Sequence, residues 1–249
     1  MRTLDSNNLV LYLKQNNDLH DIQKLLNWGI EIMNSYNFTP NYIGISGGNY
    51  PDNLVKIKTG ITKLTKNNFQ DVTSFELYFS ETDSPSYDWE LCFILKIKDS
   101  VEIYIGGNNE LISLASIIQR LDEFLSQISY ESIYGYFFSR PYNLGPEFYP
   151  FGVGYGDISD EEISKCTLWR KDLYGNMQFF NGKIRELYPL NILHENHLNF
   201  KMNNGKLFNE FIKKNKLNLQ KVKKETYLLY VNELDLLNRL LVDLGIKTY

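Results

Sequence analysis

The most metal-like residues in the chain are His194 and His197, three positions apart in His194-Glu195-Asn196-His197. On a helix that spacing puts both imidazoles on one face, where a carboxylate such as Glu186 or Asp157 would complete a three-ligand set. Such a set would serve a metal-dependent hydrolase or nuclease. The pattern departs from the zincin motif, which needs four-residue spacing around an intervening Glu. His20 is the only other histidine, which excludes a His-rich site. The favoured reading is therefore two ordinary half-buried helix positions, with no metal and no cofactor.

Other catalytic patterns are missing. Gly-x-Ser-x-Gly does not occur, and neither Cys92 nor Cys166 carries a local nucleophile signature. Gly152-Val153-Gly154-Tyr155-Gly156-Asp157 places Asp157 where a dinucleotide loop needs its third glycine. No Walker lysine follows it, or Ser46-Gly47-Gly48. The acids at Asp160, Glu161 and Glu162 fit the first turn of a helix, where its dipole favours negative charge. Catalysis is not needed to explain them.

Segment 139–158 is different in kind. It holds seven Gly or Pro residues and five aromatics in 20 positions. Pro narrows the backbone and Gly opens turns closed to other residues. Aromatic rings give large contact area at small entropy cost. Together they predict an ordered platform for a protein partner, built from Arg140, Tyr142, Glu147, Phe148, Tyr149, Phe151, Tyr155 and Asp157. The competing reading turns the rings inward as a plug.

A second segment stands out by charge. Residues 201–224 hold eight lysines and one glutamate, a local +7 that leaves −11 for the rest of the chain. A solvated lysine-rich face is the simplest account, and the overall acidity opposes a broad nucleic-acid contact. A nucleic-acid-contacting subunit of a defence complex is the alternative.

These residues need elements to position them. Ile22, Leu25, Gly29, Met33 and Tyr36 predict a helix over 20–36, followed by a short strand at 42–45. Phe75, Leu77 and Phe79 alternate with Glu76, Tyr78 and Ser80. Trp89, Leu91, Phe93, Leu95 and Ile97 share one face against Glu90, Lys96 and Lys98, and Val101, Ile103 and Ile105 resume the alternation. Period two with one wet face predicts antiparallel strands over a one-sided core. Leu111 to Ile128 predicts a helix over 109–128, capped by Asn108 or Asn109. A strand follows at 133–138. Ser159 and Glu162 form a capping box for a helix reaching about Leu173. Tyr188-Pro189-Leu190-Asn191 predicts a short helix, 207–214 another, 226–231 a strand, and 237–244 a final helix. The sum is α+β: a largely antiparallel sheet with helices on one face. One composite domain over 1–249 is favoured, and 139–158 is where a subdomain boundary would fall.

The composition agrees with a packed core. Of 249 residues 36 are Phe, Tyr or Trp, apolar residues make up 43% and charged ones 22%. That excludes a disordered chain, a collagen-like fibre and a disulfide scaffold. No apolar run is long enough for a membrane helix, and residues 1–8 lack the core of a signal peptide. A cytoplasmic protein with two separate buried thiols is expected, with no membrane partner.

Arg185-Glu186-Leu187-Tyr188-Pro189-Leu190-Asn191-Ile192-Leu193, followed by His197-Leu198, resembles a segment of bacterial polymorphic-toxin immunity proteins, and of immunity protein family 52 in particular. The preceding stretch Tyr134–Asp157 is similar too, so the likeness spans 130–249. It implies a small cytoplasmic α+β protein of a toxin–antitoxin pair that neutralises a cognate toxin by binding it. It implies no catalytic residues. The expected function is a non-enzymatic immunity or defence factor that occludes a protein partner.

Overall fold

The computed structural model describes residues 5–15, 22–48, 50, 53–82, 89–97, 100–127, 130–141, 159–223 and 225–243. Ten strands form one sheet in the order β3-β2-β4-β5-β6-β1-β7-β8-β10-β9. They are β1 (Asp5–Gln15), β2 (Tyr42–Ser46), β3 (Leu54–Lys56), β4 (Ser74–Phe79), β5 (Leu91–Ile97), β6 (Val101–Asn108), β7 (Tyr130–Pro141), β8 (Leu190–His194), β9 (Asn218–Lys223) and β10 (Thr226–Tyr230). Every neighbouring pair is antiparallel. Seven helices accompany the strands among the described residues: α1 (Ile22–Ser35), α2 (Ile57–Lys66), α3 (Leu114–Gln127), α4 (Asp160–Trp169), α5 (Glu195–Leu198), α6 (Phe208–Lys214) and α7 (Leu234–Asp243). A π-helical turn, Arg170–Tyr174, extends α4, and a 3-10 turn spans Gln178–Asn181.

The predicted antiparallel α+β architecture is therefore what the chain adopts, but its helices cover both faces of the sheet instead of one. On one side Leu9, Leu11 and Leu13 pack with Leu25, Leu26 and Met33 of α1, Leu64 of α2, and Ile117, Leu121 and Leu125 of α3. On the other, Val10 and Tyr12 pack with Cys166 and Trp169 of α4, Phe208 and Phe211 of α6, and Leu237 and Leu241 of α7. The reason lies in the central strands. Cys92, Ile94 and Tyr104 occupy positions opposite the Phe93–Ile105 face, and all three are buried. A side chain on each face of the pleat then removes apolar surface from water, worth about 1.5–3 kcal/mol for each large residue.

Strand β1 is central, with Leu11 opposite Ile103 of β6 on one side and Gly135 of β7 on the other. Gly135 has no room for a side chain: a Cβ there would stand 2.6 Å from the Val10 carbonyl oxygen. Helix α3 begins at Leu114, five residues later than predicted, because Ser113 is its cap. The Ser116 amide donates to Ser113 Oγ at 3.1 Å, and the Ser113 amide returns to Ser116 Oγ at 3.2 Å. Asn108 instead organises the turn before it, its Oδ1 accepting from the Glu110 amide at 3.0 Å.

The helix predicted at Tyr188 is a strand. Asn191 closes a local turn, its Oδ1 accepting from the Tyr188 amide and its Nδ2 donating to the Tyr188 carbonyl. That mimics a helix start, yet the chain runs on as β8 between β7 and β10. Cys92 and Cys166 are both buried and neither is in a disulfide. No helix among the described residues is long and apolar enough to cross a membrane.

Candidate functional site

Of the predicted partner-binding residues only the backbone of Arg140 is described, at one end of the central strand pair. Arg140 is the penultimate residue of β7, its backbone opposite Ser6, and Pro141 closes the strand opposite Asp5. The Arg140 side chain and Tyr142, Glu147, Phe148, Tyr149, Phe151, Tyr155 and Asp157 lie outside the described residues. The chain re-enters at Ser159, whose carbonyl accepts from the Ile163 amide at 3.1 Å. Helix α4 buries only Cys166 and Trp169 among its described side chains, and leaves Ile163 44% and Leu168 46% exposed.

His194 and His197 do not share a helix face. His194 ends β8 and is the cap of the four-residue α5, with φ −88° and ψ 162°. The two imidazoles form a reciprocal capping box. His194 Nδ1 accepts from the Asn196 amide at 3.3 Å, and His197 Nδ1 accepts from the His194 amide at 3.0 Å. Each imidazole thus spends its Nδ1 lone pair on an orphan amide of the helix start. His194 Nε2 donates to Glu225 Oε2 at 3.0 Å. The His197 ring is fully buried and stacks on Tyr134, centroids 5.3 Å apart. Burial pulls its pKa from 6.5 down to about 4. Glu186, the proposed third ligand, instead accepts the Tyr188 hydroxyl at 2.5 Å. Among the described residues no group of three or more His, Cys, Asp or Glu gathers to hold a metal ion.

The larger polar constellation was not singled out from the sequence. A belt of hydroxyls crosses the sheet face beneath α4 and its π-helical turn. Glu102, 3% exposed, accepts the Tyr104 hydroxyl at 2.7 Å and the Tyr174 hydroxyl at 2.6 Å. Tyr12 and Tyr136 meet hydroxyl to hydroxyl at 3.4 Å. Tyr136 in turn hydrogen-bonds the side chain of Arg185. Arg185 is 1% exposed, its guanidinium 5.0 Å from the Trp169 ring centroid and its backbone amide donating to the Tyr134 hydroxyl at 2.9 Å. A buried carboxylate thus gathers the Tyr104 and Tyr174 hydroxyls, and a buried guanidinium, its Nε 3.9 Å from Glu186 Oε1, adjoins the Tyr12–Tyr136 pair. Desolvation raises the pKa of Tyr12, Tyr104, Tyr134 and Tyr136, so these phenols stay protonated. The sequence signal was weak: tyrosines at 12, 104, 134 and 136 sit on three strands, β1, β6 and β7, and only the register aligns them.

The lysine-rich segment forms a surface. Lys201, Lys206, Lys213, Lys214, Lys216 and Lys221 are exposed. Their apolar neighbours Phe200, Met202, Phe208, Phe211, Leu217 and Leu219 all pack into the core on the α4 side of the sheet. Lys223 turns to the other side, where its Nζ donates to the Leu125 carbonyl of α3 at 2.6 Å.

No protein-family model matches the chain, and no curated protein matches it. Among solved structures it is similar to the Pseudomonas aeruginosa T6SS protein PA0821, at 12% sequence identity and a TM-score of 0.59. The likeness covers 98% of this chain and 73% of that one, and what the two chains share is the fold.

Proposed function

We propose that this chain is a non-enzymatic binding protein that neutralises a protein partner by covering it, an immunity or defence factor of the toxin–antitoxin kind acting in the cytoplasm. The observation that carries this reading is the fold likeness to a T6SS protein along 98% of the chain. It agrees in direction with the resemblance of residues 130–249 to bacterial immunity proteins. The contact is assigned to segment 139–158, with Arg140, Tyr142, Glu147, Phe148, Tyr149, Phe151, Tyr155 and Asp157 as its anchors. Aromatic and Arg side chains dominate the energetics of such contacts.

The test is affinity capture of the full chain from its native host, with identification of the bound protein. Replacing Tyr149 and Phe151 together by Ala is expected to weaken that complex by more than about 1 kcal/mol, with an unchanged melting curve. Equal affinity in the double variant would remove the segment from the contact. Loss of the fold would mean that the rings are internal packing.

A further inference from the structure

We infer that the lysine-bearing end of the sheet is a docking surface for an acidic protein. The inference rests on the protein-binding reading above and adds the chemistry of the partner. Six exposed lysines, at 201, 206, 213, 214, 216 and 221, stand on α6, β9 and the turns that flank α6. Phe200, Met202, Phe208, Phe211 and Leu217 beside the first five pack into one core, and Lys221 lies over Tyr227 of that same core, so the charges share one side of the sheet. Among the described residues none of the six takes part in an ion pair. One carboxylate, Glu210, interrupts them in sequence.

Local rules explain some of these lysines one at a time. Charged residues on an edge strand block uninvited strand pairing, which accounts for Lys221 and for Lys223 beside it. A helix C-terminus favours cations, which accounts for Lys213 and Lys214. Neither rule reaches Lys201, Lys206 or Lys216. Neither requires that all six lack a carboxylate partner while the remainder of the chain carries −11. A local positive field on an acidic body attracts a negatively charged surface of limited extent and raises its association rate.

The same numbers disfavour a nucleic acid. Residues 201–224 contain no arginine, the residue whose fork fits phosphate. A long polyanion would also run past the patch onto the acidic body. Lys221 is already oriented, its Nζ 5.6 Å from the Tyr227 ring centroid.

The experiment compares the full chain with a Lys213→Glu, Lys214→Glu, Lys216→Glu variant, after thermal melts show equal stability. A poly-glutamate peptide and a DNA duplex serve as probes, followed by the protein captured in the host experiment. Expected are poly-glutamate binding that weakens steeply between about 50 and 200 mM salt, at least a tenfold loss in the variant, and no duplex binding at the upper salt. With the captured protein the variant is expected to associate at least tenfold more slowly, with dissociation little changed. Equal poly-glutamate binding by both chains, or none by either, overturns the inference. Duplex binding at the upper salt overturns it in favour of a nucleic-acid surface. A captured partner that needs Tyr149 and Phe151 but ignores the charge reversal would leave the binding reading standing and remove this one. Poly-glutamate binding with no captured partner would leave the surface and remove that reading.

Discussion

Tyr174 donates its hydroxyl to Oε1 of Glu102 across 2.6 Å, and so ties the π-helical turn after α4 to the middle of the sheet. The turn is one residue wider than an α-helical one, a rare geometry that occurs mostly as a single turn within or beside an α-helix. Glu102 is buried and accepts a second hydroxyl from Tyr104. Hydrogen bonds to a charged group contribute about 1.5–3 kcal/mol each. Tyr174→Phe is therefore expected to lower unfolding stability by that amount in urea titration. Tyr104→Phe should cost a similar amount. The double variant should cost more than the sum, since both donors serve one buried carboxylate.

His197 makes stability depend on pH in a defined direction. Its folded-state pKa is about 4 against 6.5 in the unfolded chain. Between those values the unfolded state binds a proton that the folded state refuses, so the contribution is present above pH 6.5 and is lost as pH falls towards 4. The full span is of order 3 kcal/mol. Denaturation midpoints measured through that window should fall more steeply for the native chain than for His197→Gln, which keeps a side-chain acceptor but cannot titrate.

The four buried tyrosines act at the other end of the scale. Burial raises each phenol above its usual 10. Their stabilising contribution is complete below pH 10 and is lost as pH climbs beyond it, because only the unfolded chain can release those protons there. Ultraviolet titration should show the exposed tyrosines ionising first. The buried set should ionise together with loss of the fold, as followed by circular dichroism.

Gly182 holds α5 in place against the 3-10 turn. Its φ is +93°, and a Cβ there would stand 2.5 Å from the Asn196 carbonyl oxygen, inside the helix that His194 and His197 cap. Gly182→Ala should lose about 1–3 kcal/mol, from backbone strain together with displacement of α5. Thermal unfolding would register it. A neutral outcome would mean that α5 can slide, and with it the buried His197.

How much was legible in the sequence depends on how each residue meets water. Phe75 and Leu77 alternate with Glu76 and Tyr78, and the period-two series Leu91, Phe93, Leu95 and Ile97 is marked by Glu90 and Lys96, so β4 and β5 announce themselves, and α1 and α3 do so through their apolar stripes. Strand β1 does not. Leu9-Val10-Leu11-Tyr12-Leu13 is apolar at every position because both faces of the central strand are covered, and a search for alternation passes over it. Strand β9 is hidden for the opposite reason, since an edge strand rich in lysine looks like a solvated loop. His194 and His197 showed their spacing but not their use, because capping depends on backbone amides that carry no sequence mark. Arg185 gave no sign of burial at all. What encloses it is Trp169, Tyr134 and Tyr136, gathered from 16 to 51 residues away by the register of the sheet.

The place of β1 has a consequence for how the protein is made. Its two neighbours are β6, which ends at Asn108, and β7, which ends at Pro141. A ribosome that has just released β1 must add roughly another hundred residues before either partner emerges, which takes about 5–20 s at ordinary elongation rates. During that interval Leu9 to Leu13, apolar on both sides, has nothing to pair with. The strand that joins the two halves of the sheet is thus made well before either of its neighbours and waits for both. The nascent chain is a natural client for a holding chaperone until β7 arrives.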